Sequence, residues 1–439
     1  MEYKPYEEYK DVDLPWLDRV PSHWEMEKVK YKFDLVKEPS SDENPTVLSL
    51  TQKGIKVRNI ESNEGQLAKS YEGYNTIKKG YICLNPMDLE SGAAAKSEYE
   101  GVISNAYFTI KPKFEDINTD FYSKYFNLHY KKKIFYGFGK GVGRPEGSGG
   151  RWTLNRETFI NFPIIFPPKE EQDKIVEFLD YQIEKIDRFI DLRERQIALF
   201  EEEKEVLINN AVTKGIDKTV SYKDSGVDWL GEIPDHWEVI RLKYVSTSIK
   251  TGGTPQNFGE HHLSNNGIEW YSPGDFNDRL ILTGANRKLS KEGQKLVNIF
   301  QKNSVLIVGI GGTLGKVGLS KESFSCNQQI NVITPRFDLM DANFLLYFLY
   351  SHKNDISGRV NYTTLPILNQ EDTKNLTITL PPISEQESIV VHIEKETSKI
   401  DKTIDLYKKQ IDLIKEYRTS LISHAVTGKI DVRNFQEVK

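Results

Sequence analysis

Apolar residues recur every three or four positions over two long stretches of the chain. After Pro167-Pro168, Val176, Ile183, Ile190 and Ile197 stand seven apart in one row. Leu179, Ile186, Arg193, Phe200 and Leu207 form a second row. After Pro381-Pro382, Val390, Thr397, Ile404 and Ile411 repeat the first row, and Ile393, Ile400, Tyr407, Ile414 and Leu421 repeat the second. A period of about 3.5 residues makes a narrow apolar seam that another helix of the same kind can cover. The pattern therefore predicts two long helices paired in a coiled coil. At ~1.5 Å per residue, residues 169–212 make a rod on the order of 65 Å long, far longer than an ordinary core helix. A rod of that length reads as a spacer.

The two helices are copies. Pro167 matches Pro381, Gln172 matches Gln386, Ile186-Asp187 matches Ile400-Asp401, and Ala211-Val212-Thr213 matches Ala425-Val426-Thr427, all 214 residues apart. The segments before them repeat as well. Trp16, Pro21 and Trp24 correspond to Trp229, Pro234 and Trp237 at a spacing of 213. A repeat of half the chain is a duplication and not a solenoid: module, long helix, module, long helix.

Inside each module the pattern turns to short apolar runs. Residues 46–50, 81–84 and 106–110 read as strands and 121–130 as a helix. In the second module 305–308 and 330–334 read as strands and 343–350 as a helix. Each module closes on an apolar strand, 162–166 or 376–380, that runs into the double proline. The interiors otherwise share almost no sequence, as two different recognition surfaces on one scaffold would.

Length and composition refine this picture. The chain has 439 residues, 38% hydrophobic and 28% charged, with a mean hydropathy of −0.54. It has no run of about 18 apolar residues and no signal-peptide character at its start, so the expected location is the cytoplasm, with no membrane contact. Cys83 and Cys326 stand alone, without the spacing of a disulfide framework or a zinc site. The net charge of −5 conceals a separation. Residues 124–151 carry seven lysines and arginines against the single Glu146, whereas residues 169–205 carry seven basic and thirteen acidic groups. Such a division suits a globular surface that touches phosphate and a rod that touches protein.

The glycine-rich stretch 137–152 holds Lys140, Arg144, Arg151 and Trp152. These are candidates for phosphate pairing, guanine-edge readout and base stacking. In the second module Lys250 and Thr254 flank a Gly-Gly pair, and Gly309–Lys316 resembles a phosphate loop. It lacks the first glycine and the Ser/Thr that would hold magnesium, so ATP binding is not expected. Lys316, Arg359 and Tyr362 are the further DNA-contact candidates. His23 and His236 sit beside tryptophans in Pro-led turns and read as structural. His261-His262 has no further metal-ligand spacing, Asn85-Pro86-Met87 lacks the rest of an amino-methyltransferase signature, and Glu202-Glu203-Lys204 lies on the rod. No catalytic or metal-binding constellation is expected.

The order of these motifs, Trp-Leu, Pro-x-His-Trp-Glu, a divergent module, Pro-Pro, and a long helix ending in Ala-Val-Thr, all of it duplicated, resembles the specificity subunit of type I restriction-modification systems over essentially the whole chain. The resemblance implies an α+β chain with internal pseudo-two-fold duplication. Two α/β target recognition domains (1–166 and 215–380) would alternate with long helices (167–214 and 381–428) in an antiparallel coiled coil, followed by a tail (429–439). Each domain would read half of a bipartite site in double-stranded DNA. The seam residues Val176, Leu179, Ile183, Ile186, Ile190, Ile197, Ile393, Ile400, Ile404, Ile411, Ile414 and Leu421 would build the coiled coil. Two methyltransferase and two restriction-translocase subunits would dock on this scaffold. No cofactor is expected in this chain; S-adenosylmethionine, ATP and Mg would belong to the partners. The rival readings are a coiled-coil adaptor that binds no DNA and a self-contained DNA-modifying enzyme.

Overall fold

The double prolines set where the long helices begin. In the computed structural model, which describes residues 3–42, 44–60, 70–142, 151–255, 259–277, 280–358 and 367–437, the first long helix is Lys169–Lys214 and the second Ile383–Val426. Pro168 and Pro382 lend their carbonyls to the first helical N–H groups, at Glu171-Gln172 and Glu385-Gln386. Glycine ends both helices. Gly215 (φ +72°) and Gly428 (φ +71°) adopt the left-handed conformation that stops a helix. At Gly428 a Cβ would also lie 2.4 Å from Pro21 and 3.0 Å from Trp24, and at Gly215 3.2 Å from Trp237, so a side chain there has neither the backbone geometry nor the room.

The chain forms two compact units, Met1–Arg193 with Lys409–Lys439, and Glu194–Lys408. Each unit therefore contains the start of one long helix and the end of the other, and within each unit these run antiparallel. The seam residues are all buried or half-buried, Ile186, Ile400, Ile404, Ile411 and Leu421 among the buried ones. Charged pairs flank the seam: Asp187 accepts from Arg418 at 2.9 Å in the first unit, and Asp401 from Lys204 at 2.6 Å in the second. Exposed pairs of this kind contribute less than about 1 kcal/mol each. The apolar seam dominates.

In the first unit an antiparallel sheet runs in the order Phe33–Val36, Phe108–Pro112, Ile82–Leu84, Ala94–Lys96. The helix Thr119–Lys131 lies in the same core and buries Phe121, Tyr122, Tyr125 and Phe126. The second unit has a five-stranded sheet in the order Ser246–Thr251, Ile330–Pro335, Ser304–Val308, Val317–Ser320, Ile281–Leu282. Its last pair is parallel, and its core is shared with the helix Ala342–Ser351. The closing strands Pro163–Phe166 and Thr377–Leu380 pair antiparallel with Glu25–Lys28 and Glu238–Arg241. The elements expected from periodicity are present, with ends shifted by a residue or two. Among the described residues no helix is long and apolar enough to cross a membrane.

Three polar devices are repeated in the two units. The first is a buried glutamine. Gln172 Oε1 accepts from the Asn118 N–H (2.8 Å), and its Nε2 donates to the carbonyls of Pro167 (2.8 Å) and Asp116 (3.1 Å). Gln386 does the same with the Asp341 N–H and the carbonyls of Pro381 and Leu339, all at 2.8 Å. Asn118 and Asp341 are also the N-caps of the two module helices. One side chain thus joins a long helix to the capped start of its module's helix.

The second device explains His23 and His236. Glu171 accepts from His23 Nε2 (2.5 Å), Trp24 Nε1 (2.9 Å) and Tyr6 OH (3.0 Å), and Glu385 accepts from His236 Nε2 (2.8 Å). These histidines tie a turn to a helix start.

The third is an aromatic–histidine contact. Trp16 meets His129 (5.8 Å between centroids), and Trp229 meets His352 (4.7 Å). Each histidine donates its Nδ1–H to the carbonyl four residues back. Burial holds both in the neutral form, and His129 is lowered to about 4. The unfolded chain takes up this proton near pH 6.5 and the folded chain only near 4. The contribution is therefore complete above pH 6.5 and is lost as pH falls toward 4, by about 3 kcal/mol at most. Denaturant titrations at pH 7 and pH 4.5 are expected to show part of that loss, and His129→Leu is expected to reduce it. An unchanged difference in the variant would place the acid sensitivity elsewhere.

Candidate nucleic-acid interface

Lys140 and Trp152 lie on two paired strands, the arms of a hairpin. Lys140–Val142 pairs antiparallel with Arg151–Thr153, with Lys140 opposite Thr153 and Gly141 opposite Trp152. The glycine-rich connection lies outside the described residues, and Arg144 with it; Arg151 is placed by its backbone alone. The short helix Ile134–Phe138 supports the hairpin through Tyr136, whose ring is 4.6 Å from that of Trp152. The Trp152 carbonyl accepts from Leu89 N–H at 3.1 Å. Trp152 remains 38% exposed, and Lys140 is exposed. The structure therefore brings a cation and a part-open aromatic face to the root of one hairpin, which suits phosphate pairing and base stacking.

In the second unit Lys250 is exposed on the strand Ser246–Thr251, in a cleft of about 240 Å³ with Asn298, Gln301 and Thr334. Thr254 lies beyond a Gly-Gly pair whose first member, Gly252, fits closely against the end of the strand Phe324–Cys326. A Cβ on Gly252 would lie 2.4 Å from the Cys326 carbonyl, so glycine permits the approach. That approach lets Thr254 Oγ1 donate to Gln328 Oε1. Gln328 is exposed on the turn before Ile330–Pro335 and was not among the expected site residues. Its signal was present: Asn327-Gln328-Gln329 is a polar triplet between two β-runs, and Gln is a base-reading type.

Lys316 stands apart from these. Residues 309–316 join the antiparallel strands Ser304–Val308 and Val317–Ser320, so they form a hairpin turn and not the strand-to-helix loop that cradles nucleotide phosphate. Lys316 Nζ lies 3.5 Å from the Phe276 carbonyl, on a cleft of about 750 Å³ shared with Glu201, Glu205, Asp401 and Asp405 of the long helices. Arg359 and Tyr362 lie outside the described residues. His262 Nδ1 accepts from the Gly259 N–H, and the described residues include no group of three His, Cys, Asp or Glu placed to hold a metal ion. Both cysteines are buried, which pushes their thiols up and makes them poor nucleophiles.

The long helices carry a second feature outside the seam. Leu192, Leu199 and Val206 stand seven apart and are 54%, 64% and 52% exposed. Leu406 and Leu413, at the duplicated positions of Leu192 and Leu199, are 52% and 56% exposed. A row of sevens outside the seam is the pattern of a helix face that takes another helix.

Comparison with known proteins agrees with this architecture. The model of the type I restriction modification DNA specificity domain matches residues 21–199 and again 234–416. The chain is 24% identical over 398 residues to the specificity subunit of the type I restriction enzyme MjaVIII of Methanocaldococcus jannaschii, covering 88% of this chain and 84% of that one. Its fold is similar to a chain from a type I R-M system solved to describe complex assembly and conformational transition (TM-score 0.67, 15% identity, 94% of this chain and 99% of that one). It is also similar to the HsdS subunit from Thermoanaerobacter tengcongensis (TM-score 0.50, 16% identity, 94% and 98%). The two matched segments each contain one module and much of one long helix, and the chain therefore belongs to the family of type I restriction modification DNA specificity domains, which it carries in two copies.

Proposed function

We propose that this chain is the DNA sequence-specificity subunit of a type I restriction-modification system and that it reads a bipartite target, one half with each module. The observation that carries this reading is the duplicated family match laid over two modules that share their polar anchors but differ in sheet, hairpins and exposed polar tips. Lys140 and Trp152 in the first module, and Lys250 and Thr254 with Gln328 in the second, are the described side chains best suited to DNA contact. Arg144, Arg151, Lys316, Arg359 and Tyr362 are kept as candidates on chemical grounds.

Recognition is the task of this chain, and the chemistry falls to its partners. Two methyltransferase subunits and two restriction-translocase subunits would join it in the cytoplasm and bring S-adenosylmethionine, ATP and Mg. The row Leu192, Leu199, Val206 and its copy Leu406, Leu413 support docking by partner helices, because apolar side chains this exposed gain by being covered.

An adenine-methylation map of the source cell, with the gene intact and deleted, tests the reading. One split motif, two short blocks around an unread spacer, is expected to lose its methylation on deletion. An unchanged map in a cell that expresses the whole system would favour the adaptor reading.

A further inference from the structure

Two lysines and a histidine meet where the module helix of the first unit ends beside the end of the second long helix. Lys132 Nζ donates to Ser423 Oγ at 2.6 Å. His424 follows Ser423, and its carbonyl accepts from Lys429 N–H at 2.8 Å. Lys132, His424 and Lys429 are all exposed, and none forms an ion pair with a carboxylate among the described residues. Their mutual repulsion shows in the chemistry: Lys429 helps to lower Lys132, and Lys429 and Lys132 help to lower His424, each beneath a larger effect of burial. On the far side Lys429 borders Asp18 and Arg19, one charge of each sign. Two lysines held near each other, neither of them ion-paired to a carboxylate, are held at a cost that a bound anion reduces.

The duplication supplies an internal control. At the repeat spacing of 214, His424 corresponds to Asn210 and Lys429 to Gly215, with Lys214 one position earlier. Near the equivalent module-helix end, Lys353 is paired with Glu205 at 3.1 Å. The second unit thus keeps the same frame with an asparagine in place of His424 and with Lys353 neutralised by a carboxylate, so the unneutralised cluster is not needed to build it.

Its position indicates what it binds. Lys132 stands two residues before the helix Ile134–Phe138, whose Tyr136 contacts Trp152, and Lys140 stands two residues after it. Along the chain the cluster is thus one short helix away from the hairpin assigned to DNA. We infer that Lys132, His424 and Lys429 form a phosphate-binding patch that grips the DNA backbone beside the first half-site, outside the bases that are read. This inference rests on the proposed DNA-specificity function. The patch would add affinity for any sequence and fix the register of the first module on the duplex.

The test uses the full chain assembled with its methyltransferase partner. Binding is measured by fluorescence anisotropy over a salt series, with a duplex carrying the mapped motif and with a random-sequence duplex pool. K132Q/K429Q is expected to weaken both duplexes alike, roughly ten-fold, and to make the slope of log K against log salt shallower by about 1.8, near 0.9 for each phosphate that is no longer neutralised. K132R/K429R is expected to keep the wild-type slope, which separates charge from folding. An unchanged slope and affinity in K132Q/K429Q, with wild type binding normally, overturns the patch alone. A loss of partner assembly in place of DNA affinity also overturns it, since it would mark an acidic protein as the occupant. Wild type that binds neither duplex overturns the specificity function itself.

Discussion

Replacing Gln172 or Gln386 by alanine is expected to destabilise the unit that contains it by about 3–5 kcal/mol. Each glutamine side chain is fully buried and makes three hydrogen bonds to backbone groups. Its removal leaves an N–H and two carbonyls unpartnered at a helix start, and each such buried group costs about 1–3 kcal/mol. The vacated volume adds a cavity term. Because the two sites make the same three bonds, the two losses should be similar. Urea titration followed by circular dichroism reads the effect. With a slope of roughly 2–3 kcal/mol per molar urea, the midpoint of the affected unit should fall by more than ~1 M. Leucine fills the space yet leaves the same groups orphaned, so Q172L should be nearly as costly. A midpoint within ~0.3 M of wild type, for either variant, would refute the anchoring role.

Charging the exposed row on the long helices is expected to separate assembly from folding. In L199E/L413E both residues are more than half exposed, so stability should stay within about 0.5 kcal/mol per site. If partner helices cover this row, burying two carboxylates in an apolar contact should weaken association with the methyltransferase subunit by ~100-fold or more, since central apolar anchors contribute about 2 kcal/mol or more each. Co-purification at low protein concentration, with thermal unfolding of the isolated chain as the control, separates the two effects. Undiminished complex formation would exclude the row as a docking face, and a collapse in thermal stability would show that it is structural.

Much of the frame was legible because it depends on short-range pattern. The seam from Val176 to Leu421, the double-proline helix starts and the closing strands follow from periodicity and from backbone groups a few residues away. The site was less legible. Lys140 and Trp152 were expected in a glycine-rich loop, and the structure adds that they root a hairpin packed against Tyr136. Gln328 escaped notice because its meaning depends on Thr254, 74 residues earlier in the chain. Lys316, grouped with DNA contacts on chemical type, lines a cleft with both acidic and basic side chains of the long helices, Glu201, Lys204, Asp401 and Lys408 among them. Lys132, His424 and Lys429 become a cluster only when residues 291 apart are brought together.

The amino-acid sequence by itself determined the duplication, the heptad seam, the strand and helix pieces of each module and the family to which they point, because each is written in spacings along one chain. Only the tertiary structure decided which charges are neutralised and which stand unpaired, which histidines are clamped by Glu171 and Glu385, and which apolar rows of the long helices are covered. The physical reason is the same in each case. Periodicity records which face of an element is apolar, whereas desolvation, ion pairing and cover depend on what a distant segment places against that face.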